Sequence, residues 1–182
     1  ICSGLVGSEM CIRDSDGDGR DNDPSDPGDW VEANACGDGS FPEDSSWHGT
    51  HVGGTIGANT NNNTGIAGVN WHTRMMHVRV LGRCGGSYAD IIDGMRWSAG
   101  LPVPGVPNNP NPAHVLNMSL GGPGECFVPM QQAINDIVAT NRIIVVAAGN
   151  DDVDSGGYVP AGCDNVITVA ANNRFGGKAD YS

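Results

Sequence analysis

Ser46-Trp47-His48-Gly49-Thr50-His51-Val52-Gly53-Gly54-Thr55 decides how the rest of this chain is read. Two histidines stand three apart among residues with almost no bulk. Gly49, Gly53, Gly54 and Thr50 are poor choices for a helix that has only to pack. They suit a helix that something must approach closely, because a residue without Cβ lets backbone or substrate come near. His48 is therefore the candidate catalytic proton carrier. His51, about one turn along the same helix, is expected to serve as scaffold. A zinc pair made of the two histidines is the competing reading. The metalloprotease pattern, however, uses i, i+4 spacing and a glutamate, whereas Gly49 and Thr50 separate an i, i+3 pair here.

Outward from this stretch, composition narrows the class. A length of 182 residues suits one domain or a large part of one. Net charge of −12 with 9 basic residues excludes the clustered Lys and Arg that neutralise phosphates, so no nucleic-acid partner is expected, nor an anionic membrane surface. No apolar run approaches the roughly 18–20 residues of a membrane span. The opening Ile1–Ser15 lacks the basic leader and apolar core of a signal peptide. Its Val-Gly-Ser-Glu-Met-Cys-Ile-Arg-Asp-Ser stretch differs in character from the rest of the chain, and residues 1–15 are expected to be a non-native leader ahead of a domain over 16–182.

Of 6 cysteines, Cys36, Cys84, Cys126 and Cys163 lie far apart in loop-like surroundings, with no Cys-x-x-Cys among them. Disulfides in an oxidising compartment fit better than zinc or redox chemistry. Four cysteines permit three pairings, and spacing does not choose among them. Asp16–Trp30 is an acidic Gly/Pro loop. Counted from Asp14 it opens like a helix–loop–helix calcium site, but Ser25 stands where a bidentate Glu is expected. Carboxylates this dense repel one another without a cation. Asp18, Asp21, Asp23, Asp26 and Asp29 are thus candidate calcium ligands of a non-helical loop; a solvated acidic surface is the alternative.

The remainder alternates between strands and helices. Met75–Leu81, Val115–Leu120, Ile143–Ala148 and Val166–Ala171 read as strands, the third as one buried on both faces. Tyr88, Ile91, Ile92, Met95 and Ala99 recur at helical spacing and predict a helix over Ala89–Ala99. Phe127, Met130, Ile134 and Ile137 mark another, with Pro129 in its first turn. Such alternation implies βαβ units and a parallel sheet with helices on both faces. Ligands of such sheets bind at the carboxyl ends of strands, where Ser119-Leu-Gly-Gly and Ala148-Gly-Asn150 fall.

His-Gly-Thr-His-Val-Gly-Gly-Thr (48–55), Gly-Ile-Ala-Gly-Val (65–69), Val-Arg-Val-Leu-Gly (78–82), Asn-Met-Ser-Leu-Gly-Gly (117–122) and Val-Ala-Ala-Gly-Asn (146–150) occur in one order over Asp16–Ser182. In that order and spacing the chain resembles the subtilisin family of serine endopeptidases, and in its cysteines and acidic loop a secreted bacterial branch of it. The resemblance implies a three-layer α/β fold with a mainly parallel sheet, here as a partial domain. It also implies disulfides Cys36–Cys84 and Cys126–Cys163, structural calcium, polypeptide substrates and a monomer. His48 would be the general base and Asn150 the oxyanion-hole amide. Ser119, Leu120 and Gly121 would line an extended peptide, with Leu81, Gly82, Gly85 and Gly86 as the opposite wall. Asp151 would bias the pocket toward basic side chains, and Asn61-Asn62-Asn63 would offer carbonyl oxygens to a second calcium.

Two departures stand beside these matches. No Gly-Thr-Ser-Met-Ala stretch, the family's nucleophile context, occurs in the 182 residues. No Asp-Thr-Gly or Asp-Ser-Gly context precedes the acidic loop, and Asp14-Ser15-Asp16 has no apolar strand before it. The expectation is an internal fragment of an endopeptidase, inactive alone. A non-catalytic binding module of the same descent is the rival.

Overall fold

The computed structural model describes residues 10–11 and 28–182. The chain divides into two compact units, Ile1–Gly94 with Pro104–Asn111 and Met95–Val103 with Pro112–Ser182.

In the first unit, strand β1 (Met10–Cys11) runs parallel to β2 (Val78–Arg79). The strand expected over Met75–Leu81 is thus reduced to its middle, the only part with a ladder partner among the described residues. Between them lies helix α1 (His48–Gly57). Its four glycines lower intrinsic propensity, and three of them let side chains close in: a Cβ on Gly53, Gly54 or Gly57 would meet His77, Ile66 or Thr73. A Cβ on Gly53 would lie 2.5 Å from His77 Cε1, so the close approach expected of this helix is in part the His77 ring. At the other end, Gly68 N–H donates to Ala58 O (3.2 Å), Val69 N–H to Thr55 O (2.9 Å) and Asn70 N–H to Ile56 O (2.9 Å). These bonds satisfy carbonyls that a helix terminus leaves without intrahelical donors. Gly68 is required there because a Cβ would fall 2.6 Å from Gly57 Cα. The Gly-Ile-Ala-Gly-Val stretch is therefore the C-terminal stop of the His48 helix.

Gly53→Ala is expected to destabilise by about 1–3 kcal/mol through overpacking, although alanine is intrinsically the better helix former by about 1 kcal/mol. Denaturant melts check this in two backgrounds. With His77→Ala already present the penalty should vanish; an equal penalty in both backgrounds would remove the His77 contact as its cause.

The second unit is an α/β layer. Strands β3 (Val115–Met118), β5 (Ile143–Ala147) and β7 (Ile167–Val169) form a parallel sheet in the order β3-β5-β7, with Met118 opposite Val146 and Ala147 opposite Val169. Helix α2 (Tyr88–Ser98) crosses the boundary between the units in sequence. Helix α3 (Val128–Val138) carries Pro129 in its first turn, where the missing N–H costs nothing. Met130, Ala133, Ile134 and Ile137 form its apolar stripe and are at most 2% exposed, as are Ile144 and Val146 of β5. Each of the Met, Ile and Val side chains contributes about 1.5–3 kcal/mol on burial, and Ala133 less. Arg96 and Asp136 pair at 2.6 Å between α2 and α3.

Burial along β5 alternates, with Ile143 48% exposed and Ile144 1%. The expectation of a strand buried on both faces is corrected: helix α3 covers one face, and period-2 side-chain direction leaves Ile143 on the other. Val115, Ile167 and Val169 are likewise exposed. A short antiparallel pair, β4 (Gly122–Pro123) with β6 (Tyr158–Val159), completes this unit and has no counterpart in the sequence pattern.

Candidate active site

His48 is the first residue of α1 and is exposed. The residue before it, Trp47, holds a left-handed conformation (φ 48°) and contributes no side-chain cap. The acceptor comes from one residue further back: Ser46 Oγ receives the His48 N–H at 3.3 Å. Ser46 is in turn held by Asp29, whose Oδ1 accepts the Ser46 N–H (2.7 Å) and Oδ2 its hydroxyl (2.6 Å). Partial burial opposes ionisation of Asp29, but the hydroxyl and amide of Ser46, its own amide and the Arg79 charge outweigh this and hold its carboxyl below the ordinary carboxylate value. His51 lies one turn along α1, also exposed. Among the described residues, no three or more His, Cys, Asp or Glu are grouped so as to hold a metal ion.

Leu81, Gly82, Gly85 and Gly86 belong to a tight turn. Gly82 and Gly85 exchange backbone hydrogen bonds at 3.0 and 3.1 Å, with Cys84 left-handed (φ 62°) at the bend. The Cys36–Cys84 disulfide ties this turn to the loop Val31–Glu43, whose ends pair Val31 N–H to Glu43 O (2.9 Å) and Glu43 N–H to Val31 O (3.0 Å). Arg83 lies over the Trp30 ring, 4.1 Å from its centre. Disulfide, loop and turn enclose a cleft of about 340 Å³ that includes Asp29, Glu43, Gly82 and Gly85.

In the second unit, Ser119, Leu120 and Gly121 follow β3, and Asn150 follows β5 after Ala148 and Gly149. The two strands are hydrogen-bonded neighbours running the same way, so both segments emerge at one edge, at their carboxyl ends. Asn150 is exposed. The β4–β6 pair anchors this edge: Gly122 is opposite Val159, and the preceding residue of β6, Tyr158, donates its hydroxyl to Asp151 Oδ2. Sequence reasoning misses Tyr158 because it belongs to no periodic pattern; only the fold brings it back to Asp151. The Asp151 hydrogen bond, some desolvation and the Asp151 charge push the Tyr158 phenol up from its ordinary value. Its folded value thus exceeds the unfolded one, so its contribution to stability is complete below about pH 10 and is lost as pH rises through the folded value. In an absorbance titration, Tyr158→Phe is expected to remove the most alkaline part of the tyrosinate signal. An unchanged alkaline limb would contradict this.

The Cys126–Cys163 disulfide joins the approach to α3 to the segment before β7. Both pairings implied by the resemblance are therefore present. Asp18, Asp21, Asp23 and Asp26, proposed as calcium ligands, lie outside the described residues, as does the expected 1–15 leader apart from the β1 backbone. Among the described residues, no helix is long and apolar enough to cross a membrane.

A helix that begins at an exposed histidine in one unit, and parallel strands with a glycine-rich segment and an asparagine at their carboxyl ends in the other, place the chain in the α/β class. The model of the subtilase family matches residues 4–182, and the chain belongs to that family. An extracellular protease of Xanthomonas campestris pv. campestris is 54% identical over 167 residues, covering 92% of this chain and 29% of that protein. An extracellular basic protease of Dichelobacter nodosus is 48% identical over 173 residues, covering 92% of this chain and 28% of that protein. A solved protease of Pseudoalteromonas arctica superposes with a TM-score of 0.92 at 47% identity, over 97% of this chain and 53% of that one. The fold is thus the subtilisin-like α/β fold. The chain spans under a third of the length of the Xanthomonas and Dichelobacter proteins.

Proposed function

We propose that this chain is part of a secreted, subtilisin-like serine endopeptidase that cleaves polypeptides through an acyl-enzyme. One observation carries the reading: in a member of the subtilase family, the Ser119–Gly121 segment and Asn150 leave adjacent parallel strands at the same edge. His48 takes the proton of the attacking serine and returns it to the leaving amine. The Asn150 amide stabilises the oxyanion. Ser119, Leu120 and Gly121 offer backbone groups to an extended substrate, as in strand addition, and Leu81, Gly82, Gly85 and Gly86 offer a second stretch of glycine-rich backbone. Asp151 favours basic side chains, tempered by the hydroxyl it accepts from Tyr158. Export fits both the disulfides and the extracellular relatives. The enzyme acts as a monomer.

Residues 16–182 supply the peptidase portion, behind a non-native 1–15, and hold structural calcium. Asp18, Asp21, Asp23 and Asp26 would bind the ion. Asp29 fits that set less well, since both its oxygens accept hydrogen bonds from Ser46. The Asn61–Asn63 loop, with Asn61 and Asn63 left-handed (φ 60° and 56°), is the second calcium position. Calcium bound there would stabilise the folded loops and would supply no catalytic step.

The test is made on the full-length protein. A fluorophosphonate should label one serine and abolish peptide hydrolysis, while the 182-residue chain alone should neither label nor cleave. Absence of a Gly-Thr-Ser context in the full reading frame would leave a non-catalytic binding module instead. Excess chelator should lower the melting temperature, since calcium at about a hundred times its Kd contributes about 2.7 kcal/mol by linkage; an indifferent melting curve removes the calcium sites.

A further inference from the structure

We propose that Asp29 is a positioning residue for His48, setting the start of its helix by gripping Ser46 through both carboxylate oxygens. The role rests on the endopeptidase reading for its consequence, but the grip itself does not.

The first amides of a helix lack intrahelical acceptors and are usually met by an N-cap side chain. Trp47 cannot supply one, and the first turn of α1 contains no acidic residue. Ser46 Oγ takes over for the His48 N–H. A serine hydroxyl has one proton and two lone pairs, so it accepts reliably only if its proton is directed elsewhere. An ionised carboxylate can only accept, so Asp29 Oδ2 draws that proton, while Oδ1 takes the Ser46 N–H and fixes the backbone. Charge-assisted bonds of this kind are about twice as strong as neutral ones.

Asp29 is itself anchored on either side. Arg79 Nη2 donates to Gly28 O at 3.3 Å, and Trp30 N–H donates to Ser45 Oγ at 3.2 Å. Val31 and Glu43 then pair as a two-bond bridge. The segments Gly28–Val31 and Glu43–Ser46 therefore form a zipper that ends on the backbone of His48. Displacing a reacting group by about 1 Å can cost about a hundredfold in rate, so the grip bears on catalysis without touching substrate.

The experiment compares Asp29→Ala, Asp29→Asn and Ser46→Ala in the full-length protein. Asp29→Ala and Ser46→Ala are expected to lower kcat by roughly ten- to a hundredfold with KM within about twofold. Asp29→Asn, which keeps one oxygen for the Ser46 N–H, should recover part of that loss. Amide hydrogen exchange at His48 should be at least about tenfold faster in both alanine variants, whether or not the protein cleaves peptides. Faster exchange in a protein whose wild type has no peptidase activity would sustain the grip and sink the endopeptidase reading. Unchanged exchange at His48, or a loss carried by KM alone, would overturn the proposal. If Asp29→Ala does not fold, Asp29→Asn and Ser46→Ala decide by the same two readouts.

Discussion

His48→Ala in the full-length protein is expected to lower kcat by about a millionfold, the scale found when a member of the subtilisin triad, the worked case for such units, is removed. The effect is large because nucleophile and base act as one unit, and a serine without a base is nearly un-ionised at neutral pH. What survives should be the roughly 10³–10⁴-fold advantage over water that oxyanion stabilisation and substrate binding provide. Asn150→Ala should cost much less, about 10²–10³-fold, since it removes one donor to a charge that other groups also meet. His48 is exposed, so its removal should leave stability within about 0.5 kcal/mol, as for other surface substitutions. Kinetics on a chromogenic peptide, with thermal melts on the same samples, check both halves. Retention of even a tenth of the activity would exclude His48 as the base.

Removing Cys126–Cys163 by paired serine substitution is expected to destabilise the protein by about 4 kcal/mol. Its sequence separation of 37 is closed at that entropic cost to the unfolded chain. At about 2–4 °C per kcal/mol for a domain of this size, the melting temperature should fall by roughly 8–16 °C. The native connection it makes should nonetheless persist. Gln131 Nε2 donates to Asp164 O (3.1 Å), Asp164 N–H donates to Gln131 Oε1 (2.8 Å), and Asn165 Nδ2 donates to Asn135 Oδ1 (3.0 Å). This network holds α3 to the same segment without the sulfur bond. The loss should therefore appear in stability and hardly in kcat. For Cys36–Cys84, separation 48, the entropic cost is similar, again about 4 kcal/mol, but the bridge restrains the Gly82–Gly85 turn and its loss should also raise KM. Calorimetry of both variants distinguishes these outcomes; a change below about 1 kcal/mol in either, far under the loop-closure scale, would refute that account.

Much of the architecture was legible because local patterns and tertiary demands agree. Met130, Ile134 and Ile137 recur at helical spacing and are buried together, and Pro129 stands in the first turn of α3. The strand at Ile143 was legible too, but its burial was not. A run of apolar residues says only that water is disfavoured, whereas which side a helix covers depends on residues far away in sequence. The glycines of α1 announced a close approach without revealing that the His77 ring, beside Gly53, makes part of it. Nothing near Asn150 announced Tyr158, because β4 and β6 meet only through long-range pairing.

By itself the sequence determined the α/β class, the order of the main helices and of the three-stranded parallel sheet, the family to which the chain belongs and the motif residues His48 and Asn150. These depend on periodicity and on short runs whose chemistry is local. Spacing left the cysteine pairing open and the family resemblance supplied it, as the structure shows; only the tertiary structure decided which face of the sheet is covered and which groups stand behind the motifs. Asp29 shows the difference most clearly. In sequence it is one more carboxylate at the end of an acidic loop; in the folded chain it meets Ser46, across the intervening disulfide loop, with both oxygens. Spacing cannot reveal that contact, because hydrogen-bond partners are set by where the backbone places two groups and not by how far apart they lie along the chain.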